Sequence, residues 1–259
     1  MSTVTNASAG ATSKHIKILL INPNATDSMT DACLNMVQPT LPQDVSVTGF
    51  TAPKPAPLAI ETHFDAIMSA AASMRAIKQI ADGYDAFLVA CFSDHPLTPM
   101  LREELTQPTI GIMEASLFAA RTLGGRIGLV ATGARSKIAG EDSIRSYGME
   151  AFSAGVEHCG LGVLDLERRP HDELMKIMTS TARRLVERGA DCLVLGCAGM
   201  SGLKDAVEQS VGEKTQVVDG VLAGVHHLIG VVRIGGFTSK AGVYRSSAAA
   251  RHERGQDYF

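Results

Sequence analysis

The chain repeats itself, and that repeat limits its folds more than any other feature. Gly83-Tyr84-Asp85-Ala86-Phe87-Leu88-Val89-Ala90-Cys91 aligns with Gly189-Ala190-Asp191-Cys192-Leu193-Val194-Leu195-Gly196-Cys197. The glycine, the aspartate and the final cysteine are identical, and the offset is the 106 residues that separate Cys91 from Cys197. Two further segments recur in the same order at nearly the same offset. Lys17-Ile18-Leu19-Leu20-Ile21 corresponds to Arg126-Ile127-Gly128-Leu129-Val130, and Pro108-Thr109-Ile110-Gly111-Ile112 to Thr215-Gln216-Val217-Val218-Asp219. A duplicated unit is the simplest account.

Each repeated segment is a short apolar run closed by turn residues, which suits a strand buried on both faces of a parallel sheet. Stretches of helical spacing lie between them. Residues 26–41 open on Thr and Asp, residues 61–82 place Ile67, Ala70, Ala71, Met74, Ile77 and Ile80 on one face, and residues 114–124 end at glycine. Helices are also expected over 98–107, 136–149, 172–188 and 222–236, and a further strand over 45–52. Strands alternating with helices predict an α/β fold with parallel sheets. The duplication makes it two similar Rossmann-like lobes related by a pseudo-twofold axis, with the active site in the cleft between them. The expected first lobe is 15–113 plus 220–235 and the second is 114–219. Residues 1–14 and 236–259 are expected to be flexible tails.

Composition serves mainly to exclude. The chain has 259 residues, 45% hydrophobic and 20% charged, with a net charge of −3 and scattered basic residues. That is ordinary for a soluble globular protein and leaves no footprint for nucleic acid. No apolar run approaches a membrane span, and residues 1–14 lack the apolar core of a secretory signal. A cytoplasmic location is the default expectation. The five cysteines, Cys33, Cys91, Cys159, Cys192 and Cys197, are odd in number and carry no zinc spacing, so neither a disulfide framework nor a structural metal is expected.

Doubly wound sheets build their sites at the C-terminal ends of strands. Cys91 and Cys197 occupy that place in equivalent positions, so a pseudo-twofold turns the two thiols toward each other. That arrangement suits inversion at a carbon acid. Removing a proton beside a carbonyl leaves a planar enolate, and inversion requires the proton to return on the other face. Two groups on opposite sides, one thiolate base and one thiol acid, accomplish this and exchange roles in reverse. A thiol with an unperturbed pKa of about 8.5 is within reach of the task. A helix N-terminus directly after each cysteine would favour the thiolate, and its N–H groups could hold the enolate oxygen. Cys33, Cys159 and Cys192 read as small buried apolar residues. A redox-sensing pair is the other reading of Cys91 and Cys197, without a resolving-cysteine motif to support it.

These residues resemble the aspartate/glutamate/hydantoin racemase superfamily, in particular its hydantoin and allantoin racemase branch and fungal relatives. The resemblance rests on Asn22-Pro23-Asn24, Ala90-Cys91-Phe92-Ser93-Asp94, Gly111-Ile112-Met113-Glu114-Ala115-Ser116, Gly196-Cys197-Ala198-Gly199-Met200 and Val218-Asp219-Gly220-Val221, and it covers roughly residues 16–235. It implies a cofactor-independent enzyme, free of metal and pyridoxal, acting on 5-substituted hydantoins including allantoin. It further implies substrate contacts from Asn24, Phe92, Ser93, Thr132, Gly133, Ala198 and Gly199. Two places depart from the bacterial pattern. Ala59 stands where a serine is common, and Asp94-His95-Pro96 stands where Asp-Pro-Gly is common. Both leave the reaction class intact and bear on the substrate.

Other candidates read as structural. His95 is expected to cap a helix or sit solvated, and Asp85 and Asp191 to cap or turn. One ring of His226-His227 should be packed and the other exposed. Competing functions are a decarboxylase or a cis-trans isomerase on the same scaffold, and a two-lobed small-molecule binding protein. Retention of both cysteines favours the racemase over the decarboxylase. The expected partner is a small molecule, without nucleic acid or membrane, and a homo-oligomer is expected.

Overall fold

The computed structural model describes residues 14–200, 203–256 and 258. Thus the expected N-terminal tail lies outside the described residues except for Lys14. Two four-stranded parallel sheets carry the fold. The first contains β1 (Ile16–Asn22), β2 (Val45–Thr51), β3 (Ala86–Val89) and β4 (Thr109–Gly111), in the order β2-β1-β3-β4. The second contains β5 (Ile127–Ala131), β6 (Ser153–His158), β7 (Cys192–Leu195) and β8 (Gln216–Val218), in the order β6-β5-β7-β8. The orders are the same, and so is the register: Ile21 pairs with Val89 in one sheet, Val130 with Leu195 in the other. The duplication read from three strands therefore extends to four.

Helices cover both faces of each sheet. In the first lobe α1 (Asp27–Val37) packs with Ile18, Leu20 and Leu88 on one face. On the other, α2 (His63–Ile77) and α3 (Leu97–Glu104) pack against Leu19, Ile21, Phe87 and Val89. In the second lobe α5 (Ala134–Ser146) shares a cluster with Leu129 and Val194. The opposite face carries α7 (His171–Glu187) and α8 (Lys204–Val211), against Val130, Leu193 and Leu195. The short α6 (Asp165–Arg168) precedes α7.

Two helices tie the lobes together by crossing. Strand β4 of the first sheet runs straight into α4 (Ile112–Leu123), whose Met113, Leu117 and Ala120 pack on the second sheet. Strand β8 of the second sheet leads into α9 (Gly220–Arg233), whose Val221, Val225, Leu228 and Ile229 pack on the first. The two helices begin side by side. A Cβ at residue 220 would stand 2.7 Å from the Ile112 carbonyl oxygen, so glycine permits the close approach. Asp219 starts α9 by accepting hydrogen bonds from the Val221 and Leu222 N–H groups, at 2.8 and 3.1 Å.

The same aspartate opens each central strand pair. Asp85 accepts from the Lys17 N–H at 2.9 Å, and Asp191 from the Arg126 N–H at 2.8 Å. Both do the bracing work expected of them rather than chemistry.

The structure adds three things to the sequence reading. Strand β6 was not anticipated, because Ser-Ala-Gly-Val-Glu-His has no apolar run and its pairing slips beside Gly155. Helix α8 was not anticipated either, its sequence being largely polar. Beyond residue 236, where a flexible tail is expected, the chain lies along α3. Tyr244 receives a hydrogen bond from Arg102 at 3.2 Å, and Arg251, on the short helix α10 (Ala248–Glu253), pairs with the shielded Glu104 at 2.7 Å. These contacts are polar, so apolar periodicity could not announce them. Among the described residues no helix is long and apolar enough to cross a membrane.

Candidate active site

The C-terminal ends of the two sheets face one cavity of about 60 Å³. Cys91 and Cys197 both line it, each two residues beyond the last residue of its strand, β3 and β7. The backbone locks them in the same way. The Ala90 N–H donates to the Ile21 carbonyl at 2.8 Å, and the Gly196 N–H to the Val130 carbonyl at 2.8 Å. The two sulfurs stand close enough for charge on Cys91 to disfavour charge on Cys197. All five cysteines are free thiols.

Of the other residues singled out by sequence, Asn24, Phe92, Thr132, Ala198 and Gly199 line the same cavity. Ser93 and Gly133 do not. Ser93 turns its hydroxyl to the Cys91 Sγ at 3.3 Å, and Gly133 precedes α5 as its N-cap. Asn22, inside the Asn22-Pro23-Asn24 motif, lines it as well, together with Met29, Cys33, Ile60, Ser136 and Val163, to which the sequence assigned no substrate contact. Asn22 and Cys33 are buried and could pass for core, and only the meeting of the lobes reveals the cavity they border. Every side chain lining it, among the described residues, is uncharged.

Burial dominates the electrostatics. It pushes the Cys91 thiol up to about 11, against the downward pull of the Ser93 hydroxyl. It pushes Cys197 up to about 12, against the backbone N–H groups of Gly199 and Met200, with Cys91 adding to the rise. This corrects the expectation that helix N-termini favour both thiolates. Cys91 is followed by a loop, with α3 starting only at Leu97. Cys197 is followed by a single 3₁₀ turn, Ala198–Met200. Neither offsets the loss of water. Cys33 is likewise raised to about 12, by burial first and then by Asp219 and Cys197.

Asn24 is a fixed donor. Its Oδ1 accepts from the Asn22 Nδ2 and from the Thr26 N–H, both at 2.9 Å. Among the described residues its Nδ2 meets only the Met29 thioether, at 3.3 Å, a weak acceptor. Opposite in the duplication, the Thr132 and Ser136 hydroxyls pair at 2.9 Å.

His95 caps rather than catalyses. It is 1% exposed, and burial lowers its pKa to about 4. Its Nδ1 accepts from the Leu97 N–H at 3.2 Å, so Nε2 carries the proton and donates to Ser69 Oγ at 2.9 Å. The expectation for His226-His227 fails, since both rings are exposed, and His226 bonds Thr40 at 3.0 Å. Position on the outward side of α9 explains this.

Three contacts bridge the lobes at or near the cleft. Tyr147 donates to Asp94 at 3.2 Å, and the Val163 N–H to Glu61 at 3.4 Å. The Asp65 carboxyl is held low by the Thr62 hydroxyl first, and Arg135 of the second lobe adds to that.

Comparison with known proteins agrees with this arrangement. The model of the Asp/Glu/hydantoin racemase family matches residues 18–228. An uncharacterized protein of Schizosaccharomyces pombe is 40% identical, over 89% of this chain and 98% of that one. A hydantoin racemase of a Pseudomonas species is 34% identical, over 89% and 91%. The solved structure of allantoin racemase from Klebsiella pneumoniae superposes with a TM-score of 0.83 at 28% identity, covering 89% of this chain and 93% of that one. The chain belongs to the Asp/Glu/hydantoin racemase family and is an isomerase of the racemase kind.

Proposed function

We propose that the protein racemises a neutral cyclic carbon acid of the 5-substituted hydantoin type, allantoin included, with Cys91 and Cys197 as the two proton-transfer groups. One observation carries the proposal: two thiols at equivalent strand ends of a duplicated fold border one cavity. The hydantoin and allantoin racemases that the chain resembles support the substrate class. So does the uncharged lining, which offers amide and hydroxyl groups rather than a counter-ion for a free carboxylate.

The reaction needs one thiolate and one thiol. The thiolate removes the proton from the carbon, and the electron pair moves onto the adjacent carbonyl oxygen to give the planar enolate. The opposing thiol then delivers its proton to the other face, so each turnover swaps the two protonation states. Burial holds both thiols neutral, so the thiolate that forms is a strong base with little water around it. The Asn24 amide is a suitable donor for the enolate oxygen, because its own acceptor oxygen is already occupied. Such donors typically contribute about 10²- to 10³-fold in rate.

The test is incubation with single enantiomers of allantoin and of several 5-substituted hydantoins in deuterated buffer. Loss of optical rotation with deuterium incorporation is expected for at least one member. Neither change across the whole panel contradicts the proposal.

A further inference from the structure

Two loops meet above the cavity, one from each lobe. Residues 53–61 belong to the first, where the Pro57 carbonyl accepts from the Ala25 N–H at 2.8 Å and the Leu58 carbonyl from the Thr26 hydroxyl at 2.8 Å. This loop is thus tied to the segment that carries Asn24. Residues 159–165 belong to the second, where the Leu161 N–H donates to the Thr132 carbonyl at 3.1 Å and the Gly162 N–H to Asp165 at 2.8 Å. Each loop places one apolar residue on the cavity, Ile60 and Val163, both half-buried. The hydrogen bond joining the loops is a long one, from the Val163 N–H to the Glu61 carboxylate at 3.4 Å.

We infer that Ile60 and Val163, joined through Glu61, form a gate that selects the substituent on the substrate's acidic carbon, admitting uncharged apolar groups and turning away acidic ones. The inference rests on the racemase reading above. Inversion moves the proton from one face to the other, but it leaves the substituent near the plane of the enolate. One substituent pocket must therefore serve both enantiomers. The polar groups of the lining, Asn24, Thr132 and Ser136, suit the ring carbonyls and nitrogens. Ile60 and Val163, one on each loop, are apolar lining residues that also reach solvent, as do Phe92 and Ala198, so a substituent leaving the ring toward the two loops meets them. A carboxylate group there gives up water for hydrocarbon without gaining a partner. The Glu61 carboxylate at the seam also repels a negative charge.

The experiment measures kcat/KM for racemisation of hydantoins bearing methyl, isobutyl, benzyl, ureidomethyl and carboxymethyl groups, for the wild type, Ile60→Ala, Val163→Ala and Glu61→Gln. Trimming either apolar residue should raise the benzyl-to-methyl ratio by about tenfold or more, the scale on which apolar pockets discriminate size. Glu61→Gln should raise the carboxymethyl-to-isobutyl ratio. The two alanine variants lie on different lobes, so misfolding of one leaves the other to decide. Racemisation with ratios unchanged in the folded variants overturns the gate alone, as does a wild type that prefers carboxymethyl. No racemisation and no deuterium exchange by the wild type overturns the gate together with the reading beneath it.

Discussion

The two cysteines sit at the same register of the same fold, yet their immediate surroundings differ. Before Cys91 stands Ala90, and after it a loop whose Ser93 hydroxyl bonds the sulfur at 3.3 Å. Before Cys197 stands Gly196, where a Cβ would collide with the Val130 carbonyl oxygen. After it comes a tight turn whose backbone N–H groups lower the thiol's pKa. Duplication thus decides where each sulfur is, and the few residues around each decide how it ionises. One thiol is tuned by a side chain and the other by backbone, so only the first can be detuned by a conservative substitution.

The largest expected effect breaks the pairing itself. Cys91→Ser and Cys197→Ser should each reduce racemisation by about 10²- to 10⁴-fold, the usual contribution of a positioned acid or base. Each should still exchange the carbon-bound proton of one enantiomer with solvent, and the two variants should prefer opposite enantiomers. Chiral chromatography combined with mass spectrometry reads both. Identical preference in the two variants contradicts opposed thiols.

Next comes pH. With burial pushing Cys91 up to about 11 and Cys197 up to about 12, thiolate is scarce at neutrality. If its formation limits turnover, the rate should climb about tenfold per pH unit below those values. Stability should move the other way. The folded thiols hold their protons above the ordinary value of 9.0, so the native state binds more protons than the unfolded chain. The stabilisation is fully present below about pH 9 and is lost as pH rises toward the folded values. Thermal melts across pH 7 to 11 give the sign. A melting temperature that rises over that interval contradicts neutral buried thiols.

A smaller effect separates the residues before the cysteines. Gly196→Ala forces a methyl group against backbone and should destabilise by about 1–3 kcal/mol. Ala90→Gly at the equivalent position should cost only about 0.5–1 kcal/mol of chain entropy. Denaturant unfolding compares them directly. Ser93→Ala has a comparably small expected effect. It removes a hydrogen bond worth roughly 1 kcal/mol, raises Cys91 further and slows the rate at neutral pH about fivefold. The loss should shrink at high pH, whereas a purely structural defect would not.

The sequence disclosed the fold well where repetition and apolar runs coincide, as at Ile16–Asn22, Ala86–Val89 and Cys192–Leu195. It disclosed β6 poorly, because a glycine-bearing, half-exposed strand has no such run. The repeat offset applied to β2 would have located it. Of the site, the parts at strand ends were legible: both cysteines, Asn24, Thr132 and the turn after Cys197. Met29 and Cys33 on α1, Ser136 on α5 and the gate residues Ile60 and Val163 were not. Their role depends on which face of a helix or loop meets the opposite lobe, and no periodicity within one lobe encodes that. Burial was equally invisible, which is why the thiols proved harder to ionise than helix-end reasoning suggests.

The central claim is that two opposed thiols carry the proton on different faces. It is tested most directly by following one pure enantiomer in deuterated buffer through the first turnovers. The product enantiomer should carry solvent deuterium while unreacted substrate keeps its original proton, because each thiol holds a single proton and serves a single face. Product that retains the substrate's own proton, or racemisation at the wild-type rate in Cys91→Ser or Cys197→Ser, would contradict it.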